Sequence, residues 1–501
     1  MMKSIEIKNN LAINTKEIPE ISYNEFFDEC IEISKNKEVS HCVSYFGYPI
    51  NNDNIKLIAC IANDEKHSIN VLSTIVKINS TINSLTLLNS TFEKYERELF
   101  ENFGLKFSGH PWHKPVRYSY NRFDKSLTMN NYSFLKADSE ELHEVGVGPI
   151  HAGIIEPGHF RFICNGETIL HLEIQLGYQH RGIEQLMLSK KSLLERTIIA
   201  ESVAGDSVIG HTTAFVNLWE KICNCPTSSA LMHNRTLANE IERVAIHTGD
   251  LSAISNDIAY QLGSAVYGRL RTPIINFFQE WSGSRFAKGL IRAGKTNFPF
   301  TEYHKKRLIE LINKYEPHFT EMSEQLITLP SVLSRLEKTG VVSKSIALNI
   351  AAVGMAARAS GVNRDIRYSH PYCYYSNKIQ HSPIIYESGD VYARTLLRID
   401  EVKQSLNYIH QLINEIPHNQ HNEEYLIPQP NTFVVSLTEG WRGEIVHCAI
   451  TDSKGDLLAY KIKDPSFTNW MALSQAVKNN EISDFPLCNK SFNLSYCGHD
   501  L

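Results

Sequence analysis

The sequence predicts an α+β protein, in which an N-terminal α/β domain precedes a long helical core with small β-sheets on both sides. Short β-rich runs alternate with polar turns over about the first 110 residues and again after residue 430. Between about residues 200 and 425, apolar residues recur at intervals of three and four, which is the helical period. The length of 501 residues and the apolar fraction of 42% are typical of a globular protein with a full core.

The first predicted region, residues 1–112, is a compact α+β unit. Residues 91–104 predict a helix, with Thr91 as its cap and Gly104 at its end. Four β-rich runs before this helix predict strands at residues 41–50, 55–62, 69–76 and 84–89.

The second region, residues 113–145, is predicted to be an extended connector. Prolines and polar aromatic residues are frequent from residue 110 onward, and neither a helical nor a strand period is visible. Because aromatic side chains usually need cover, we expect this connector to lie on the protein surface rather than to act as a free tether.

The third region, residues 146–501, holds a helical core at about 176–425 and a C-terminal β region at 430–501. Three β-rich runs predict strands at 432–440, 444–452 and 457–464, with a tight turn at 453–456 between the last two. One apolar stripe shows the helical period most clearly and predicts a buried helix face. Its members are Ile399, Val402, Leu406, Ile409, Ile413 and Ile416.

Charge and cysteine usage exclude several classes of protein. The net charge of −5 gives no basic excess, so nucleic acid is not an expected partner. No apolar run is long enough to cross a bilayer, and no secretion signal is visible at the N-terminus. The ten cysteines are scattered, so we expect reduced thiols rather than a disulfide framework.

Three segments place clusters of polar residues among glycines and prolines, where a hydrophobic core would not accommodate them. They are "GPIHAGIIEPGHFRFICNGE" with "LGYQHRGIEQL" (148–167 and 176–186), "AARASGVNRDIRYSHPY" (356–372) and "EGWRGEIVH" (439–447).

These segments resemble the large subunit of energy-converting nickel–iron hydrogenases of the formate hydrogenlyase and hydrogenase-4 type, and the homologous quinone-site subunit of respiratory complex I. "YERELFENFGLKFSGHP" (95–111) resembles the small hydrophilic complex I subunit, here fused in one chain. "GDVYARTLLRIDEVKQSL" (389–406) and "DPSFTNW" (464–470) are similar to the same family. The resemblance covers nearly the whole chain.

In the hydrogenase relatives, two Cys-x-x-Cys pairs hold the nickel–iron centre through soft thiolates. The resemblance places the first pair at Ala204 and Ser207, and the second pair at Ser495 and Gly498. Alanine and glycine offer no side-chain ligand, and serine is a poor ligand for a soft metal. The resemblance therefore implies a chain without nickel–iron and without hydrogenase activity.

The complex I relatives use the corresponding cavity for a quinone headgroup, held by a tyrosine and a histidine. The tyrosine would fall at Gly205 and the histidine near Ile155. Only an earlier histidine of the same loop is matched, at His151. The resemblance thus implies the assembly and leaves the redox chemistry of the cavity open.

The resemblance also supplies candidate site residues. Glu184 stands at the proton-relay position of the hydrogenases, and the alternative is an ion pair with a neighbouring arginine such as Arg181. The candidate catalytic residues are Glu184, His151, Asp206 and Asp500. The candidate binding residues for an acceptor are Gly205, Ser207, His180, Arg181, Arg358, Asp365 and Ser495.

For some of these residues a structural role is the stronger expectation. Arg358, Asp365 and Arg367 are expected to form a buried salt bridge that fixes their loop. His247 is expected first to be a hydrogen-bonded core histidine and second a relay member. A third alternative is a harder metal site of the kind that zinc accepts. It would use Asp206, Cys497, His499 and Asp500.

The resemblance implies a subunit of a hetero-oligomeric, complex I-like enzyme that passes electrons from NAD(P)H or another donor to a quinone-like acceptor. The chain shows no dinucleotide fingerprint, so no cofactor of its own is expected. The expected partners are an iron–sulfur small subunit and antiporter-like and anchor membrane subunits. Its expected location is peripheral, on the cytoplasmic face of the plasma membrane. The alternative is a non-catalytic coupling subunit that links the iron–sulfur partner to the membrane subunits.

If the family frame holds, four distant segments should converge in space, namely 148–160, 177–184, 204–208 and 495–500. Small residues at positions 204, 205 and 498 should then leave open space. Polar side chains should line that space, because burying them without water or a ligand would be costly. The expected lining is His151, Glu184, Asp206 and Asp500.

Overall fold

The computed structural model of the chain describes residues 3–153, 155–417 and 426–501 and has the predicted α+β architecture. The strands are β1 (Ile5–Ile7), β2 (Ile13–Asn14), β3 (Ser40–Pro49), β4 (Asn54–Asn63), β5 (Ser68–Lys77), β6 (Thr81–Asn83), β7 (Lys106–Ser108), β8 (His143–Val147), β9 (His159–Asn165), β10 (Thr168–Gln175), β11 (Thr432–Gly440), β12 (Gly443–Thr451) and β13 (Leu457–Lys463).

The α-helices lie mostly between β10 and β11, with two before and three after. They are α1 (Tyr23–Ile33), α2 (Glu93–Phe103), α3 (Ile183–Ser189), α4 (Leu193–Ala200), α5 (Val208–Ile222), α6 (Ser229–Asp257), α7 (Gln261–Ser282), α8 (Glu302–Leu326), α9 (Pro330–Leu336), α10 (Lys344–Asn349), α11 (Gly354–Arg358), α12 (Ile366–Ser369), α13 (Val391–Ile413), α14 (Ser466–Ala476), α15 (Phe485–Phe492) and α16 (Tyr496–Asp500).

The N-terminal sheet has the antiparallel order β1-β5-β4-β3, and its long strands confirm three of the four predicted ones. The fourth prediction is wrong, because Leu85–Leu87 form a 3-10 turn instead of a strand. The buried carboxylate of Glu96 explains the difference. It accepts hydrogen bonds from the backbone N–H of Leu85 at 2.6 Å and from the hydroxyl of Thr86 at 2.7 Å. These side-chain bonds compete with strand pairing.

Helix α2 agrees with the predicted helix at its end and differs at its start. It is terminated by Gly104, whose φ of 68° is the left-handed conformation that glycine favours. Thr91 does not cap it, because Thr91 lies inside a 3-10 turn that leads into the helix. Glu93 and Glu96 lie in the first turn, where carboxylates complement the helix dipole.

The predicted connector lies against a three-stranded sheet, which has the order β10-β9-β8. Tyr132 donates a hydrogen bond to Glu173 of β10 at 2.5 Å, and the side chain of Gln175 donates to the carbonyl of Met129 at 3.2 Å. The connector therefore follows the surface, as its aromatic residues led us to expect. Strand β8 begins within its last residues.

The helical core is built around α6, which packs against α5, α7 and α13. The predicted apolar stripe is buried on α13 from Ile399 to Ile413, and Ile416 lies beyond the end of the helix. Within the described ranges, no helix is long and apolar enough to cross a membrane.

The C-terminal sheet has the order β13-β12-β11-β2 and joins the two ends of the chain. Phe433 of β11 pairs with Ile13 of β2. Helix α5 packs on β11 and β12, while β3 of the N-terminal sheet contacts β12 and β13. Every residue of β11 and β12 is therefore buried, including the polar side chains of Glu439, Glu444 and His447.

Candidate functional site at the tail segment

The tail segment, residues 495–501, is anchored on the loop that precedes α3. The carboxylate of Asp500 accepts hydrogen bonds from the backbone N–H of Gly177 at 2.9 Å and of Gln179 at 2.8 Å. The Nδ1 atom of His180 lies 2.7 Å from the backbone carbonyl of Asp500. Two candidate residues that stand far apart in the sequence are thus in direct contact.

The loop at residues 148–160 meets the same segment. Glu156 accepts hydrogen bonds from the backbone N–H of Tyr496 at 3.3 Å and of Cys497 at 3.4 Å. His151 bonds within its own loop, where its Nε2 lies 2.9 Å from the carbonyl of Gly158. His151 therefore shapes the loop rather than pointing at the tail segment.

Arg181 connects the tail segment with the turn before α5. Its guanidinium donates hydrogen bonds to the carbonyls of Val203 at 2.8 Å and Cys497 at 3.0 Å. The alternative of an ion pair between Arg181 and Glu184 is wrong, because Glu184 pairs with Lys461 instead. The predicted convergence is therefore confirmed for segments 148–160, 177–184 and 495–500, and Arg181 also reaches Val203, next to the fourth segment.

Asp206 is held by Arg442, which follows β11. The two Nη atoms of Arg442 each lie 2.6 Å from an oxygen of Asp206, a bidentate pair. One of them also lies 3.3 Å from the hydroxyl of Ser207. The indole N–H of Trp441 donates to the carbonyl of Asp206 at 2.7 Å. These bonds fix the turn that carries the first pair of expected ligand positions.

The expected open space is absent at Gly498. A Cβ atom added there would lie 2.6 Å from Cγ of Asp464, so the carboxylate of Asp464 already fills the volume. Ser495 is buried, and its hydroxyl accepts the N–H of Gly498 at 2.9 Å as the cap of α16. Ala204 is fully buried, whereas Gly205 faces open space, with no atom within 4 Å of an added Cβ. The prediction of open space is therefore wrong at position 498, and at position 205 the open space is solvent, because Gly205 is exposed at the surface.

The predicted polar lining is also different, because His151, Glu184, Asp206 and Asp500 each have separate partners. The polar residue that occupies the volume is Asp464. It accepts hydrogen bonds from Nε2 of His211 at 3.0 Å and from the N–H of Ser466 at 2.7 Å.

Asp464, His211 and Arg442 were not among the predicted site residues. Two of them stand inside quoted motifs, because Asp464 opens "DPSFTNW" and Arg442 lies in "EGWRGEIVH". A useful signal was the position of charged residues at strand ends and helix starts, where backbone groups need partners.

Glu184 pairs with Lys461 of β13. Its carboxylate lies 3.0 Å from the Nζ atom of Lys461 and accepts the backbone N–H of Ile462 at 2.9 Å. Lys461 also pairs with Glu98 of α2, which in turn pairs with Arg117 of the connector. The result is a row of alternating charges that joins the N-terminal region to the rest of the chain.

Glu98, Lys461 and Glu184 form one side of a cleft of about 280 Å³, which we call the Glu184 cleft. Its other walls are mainly apolar and aromatic. They include Phe46, Tyr48, Leu99, Phe103, Leu188 and Tyr460. A cleft with apolar walls and a few charged groups is the usual form of a small-molecule site.

Arg358 and Asp365 belong to a separate buried network. Arg358 lies 3.3 Å from Asp365 and 2.7 Å from Glu439, and it also pairs with Glu401. Arg367 lies 2.7 Å from Asp365. Burial lowers the pKa of Arg358, but these carboxylates more than offset it, and the net shift is upward. The predicted structural network is confirmed.

His247 is a hydrogen-bonded core histidine, as expected. Its Nε2 atom lies 2.8 Å from the carboxylate of Glu401, and burial is the main reason why its pKa is lowered.

The alternative of a harder metal site at the tail segment gains no support. Asp206 already forms an ion pair with Arg442, and the Nδ1 atom of His499 bonds to Asp500 at 2.8 Å. In the parts of the chain that the structure describes, no group of three or more His, Cys, Asp or Glu side chains is arranged to hold a metal ion.

Two regions of the chain match known protein families. Residues 23–125 match the family described as "Respiratory-chain NADH dehydrogenase, 30 Kd subunit". Residues 261–432 match the family described as "Respiratory-chain NADH dehydrogenase, 49 Kd subunit". The two matched regions lie in the order that the predicted fusion requires.

Individual relatives come from both branches that the motifs resemble. Hydrogenase-4 component G of Escherichia coli is 25% identical over 387 residues, which cover 77% of this chain and 67% of the relative. Formate hydrogenlyase subunit 5 of the same organism is 26% identical, covering 73% of this chain and 64% of the relative. The NADH-quinone oxidoreductase C/D subunit of Phocaeicola vulgatus is 27% identical, covering 74% of this chain and 76% of the relative.

The chain thus spans slightly less than two thirds of the formate hydrogenlyase relative, while its match to the Phocaeicola vulgatus relative extends over about three quarters of each. Its two matched regions, their order and its relatives agree: the chain is similar to complex I and energy-converting hydrogenase subunits, and it joins a 30-kDa-type region to a 49-kDa-type region.

Proposed function

We propose that this chain is a subunit of a membrane-associated, complex I-like electron-transfer complex, and that it hosts a quinone-like acceptor without nickel–iron. Its iron–sulfur partner would supply the electrons, and antiporter-like and anchor subunits would hold the assembly at the cytoplasmic face of the plasma membrane. The similarity to both hydrogenase and NADH-quinone oxidoreductase subunits supports membership in such a complex.

The residues at the expected metal-ligand positions do not fit a nickel–iron centre. None of them is a cysteine, and a side chain at Gly498 would collide with Asp464. Asp464 is itself held by His211 and Ser466, so it cannot swing away without losing both hydrogen bonds. We therefore assign no step of the proposed function to nickel or iron bound by this chain.

The Glu184 cleft is the observation that carries the acceptor proposal. A quinone headgroup is a flat apolar ring with two carbonyl oxygens that accept hydrogen bonds. The walls formed by Phe46, Tyr48 and Tyr460 suit such a ring, and the ammonium of Lys461 can donate to a carbonyl. Glu184, beside Lys461, is placed to pass a proton when the acceptor is reduced.

A Glu184→Gln variant of the purified complex tests this proposal. Glutamine can still accept the N–H of Ile462 but cannot carry a proton, so we expect the subunits to assemble normally. The rate of quinone-dependent donor oxidation should fall by about tenfold or more. General acid–base catalysis usually contributes more than tenfold, so this threshold is conservative. Glu280→Gln, which alters an exposed carboxylate on α7, is the matched control. Equal quinone-reductase rates for Glu184→Gln and the control would refute the proposal.

The close packing around Gly498 favours a second candidate, a non-catalytic coupling subunit. In that case the charge row from Glu184 to Arg117 would serve only to join the N-terminal region to the partner-binding core. The complex would then oxidise its donor at the same rate with and without added quinones. Such a result, together with intact assembly, would replace the first candidate with the second.

A further inference from the structure

A second cavity, of about 290 Å³, lies apart from the Glu184 cleft, and we call it the Trp112 cavity. It is bordered by the start of α2, residues 111–132, β10 and α14. Aromatic rings and aliphatic side chains provide most of its surface. The main apolar lining is Trp112, Tyr132, Leu172, Leu176, Trp470 and Met471.

Lys94, in the first turn of α2, lines this cavity without a bound carboxylate. Within the described residues, its ammonium makes no hydrogen bond and no ion pair, and it lies 5.7 Å from the centre of the Phe467 ring. The carboxylates nearby are already paired. Glu93 is bound by Arg97 at 2.8 Å, and a second carboxylate on β10 is bound by Lys114 at 2.7 Å.

The electrostatic surroundings of Lys94 disfavour its charged form, which a bound carboxylate would stabilise. Burial lowers the pKa of Lys94 to about 7, with a partly opposing effect from Glu93 and an additional lowering by Arg97 and Arg117. A positive charge there lacks a directly bound counter-ion among the described residues. A bound acid would provide one.

His171 contributes a second polar group without a partner. Its Nε2 atom is buried and makes no hydrogen bond with any described residue. The register of β10 shifts between Ile169 and His171, and such a bulge redirects the side chains that follow it. A buried nitrogen without a hydrogen bond is costly, so its partner is expected to come from a ligand or from water in the cavity.

We propose that the Trp112 cavity binds a small aromatic carboxylate. The carboxylate pairs with Lys94 and can accept a hydrogen bond from His171, while the ring lies among Trp112, Tyr132 and Trp470. The volume is near the lower end of the usual range for ligand sites, so the ligand has one or two rings. This proposal does not depend on the Glu184 cleft or on quinone chemistry.

The position of the cavity gives binding a structural consequence. Lys94 belongs to α2 in the 30-kDa-type region, while His171 and Trp470 belong to the region that follows the connector. His499 of the tail segment also lines the cavity. A ligand in this cavity therefore ties the two regions together next to the anchored tail.

The test uses the purified full-length chain with 2-naphthoate as the probe and the neutral 2-naphthamide as its uncharged counterpart. Calorimetric titration should show binding of the acid, with the amide weaker by about ten- to hundredfold, the value of one charge-assisted hydrogen bond. Lys94→Met should weaken the acid by a similar factor and leave the amide unchanged. Lys306→Met, at an exposed position on α8, is the matched control.

Circular dichroism checks that each variant is folded, and a Trp112→Leu variant tests the ring contact independently by weakening both probes. The proposal would be overturned by equal binding of acid and amide, by undiminished acid binding in folded Lys94→Met, or by the absence of acid binding up to millimolar concentration.

Discussion

Replacing Gly498 with alanine tests how the tail segment is packed. The added methyl group would lie 2.6 Å from Cγ and 2.7 Å from Oδ2 of Asp464, well inside contact distance. Asp464 is a short side chain that bonds to His211 at 3.0 Å and to the N–H of Ser466 at 2.7 Å. The clash can be relieved only by distorting α16 or by breaking these bonds.

The size of the effect follows from two unfavourable contributions and one favourable one. Overpacking a buried site costs about 1–3 kcal/mol, and loss of a hydrogen bond to a buried carboxylate costs about 1–3 kcal/mol more. Alanine in place of glycine inside a helix stabilises the helix by about 1 kcal/mol. The expected net destabilisation is roughly 1–5 kcal/mol. For a chain of this length that lowers Tm by about 1–5 °C, because the unfolding entropy scales with the number of residues.

Thermal unfolding of the purified chain, followed by circular dichroism, measures this shift. Gly205→Ala is the matched control, because an added Cβ there meets no atom within 4 Å. We expect Gly205→Ala to change the free energy of unfolding by no more than about 0.5 kcal/mol. If Gly498→Ala unfolded at the same temperature as Gly205→Ala, the reasoning about a filled position 498 would be refuted.

Three further predictions concern stability and composition. Arg358→Met should destabilise the chain by about 3–5 kcal/mol, since it leaves the buried carboxylate of Glu439 without its ion-pair partner, whereas Arg307→Met on the surface should cost less than about 1 kcal/mol. Equal urea midpoints for these two variants would contradict this. Burial raises the pKa of Asp64, but His41 and other cations outweigh it and lower the pKa to about 2, so this stabilisation is complete above about pH 4 and is lost as the pH falls toward 2. Asp64→Asn should remove that part of the acid dependence, and an unchanged acid unfolding curve would count against it. Elemental analysis of the purified complex should find no stoichiometric nickel with iron in this subunit, and finding both would disprove the assignment of the ligand positions.

Local patterns were sufficient for most of the secondary structure. Strands β3, β4 and β5, the end of α2 at Gly104, and the buried stripe of α13 all follow from residue period and from glycine geometry. These features depend on neighbours within a few residues, so they can be predicted from the sequence alone. The motifs were likewise sufficient to recognise the resemblance to complex I and hydrogenase subunits and the order of the two regions.

The partners of individual polar residues depended on the tertiary structure. The turn at residues 84–89 follows from the buried carboxylate of Glu96, and the ion pair of Glu184 follows from Lys461, which stands far away in the sequence. Whether position 498 is open depends on Asp464, which a different element supplies. The spacing of apolar residues in the sequence indicates which side chains are buried. It does not indicate which residues of other elements they contact. The amino-acid sequence by itself therefore determined the kinship with complex I and hydrogenase subunits and most element types, whereas only the tertiary structure decided which space is filled and which charges are paired, because those depend on contacts between different elements of the fold.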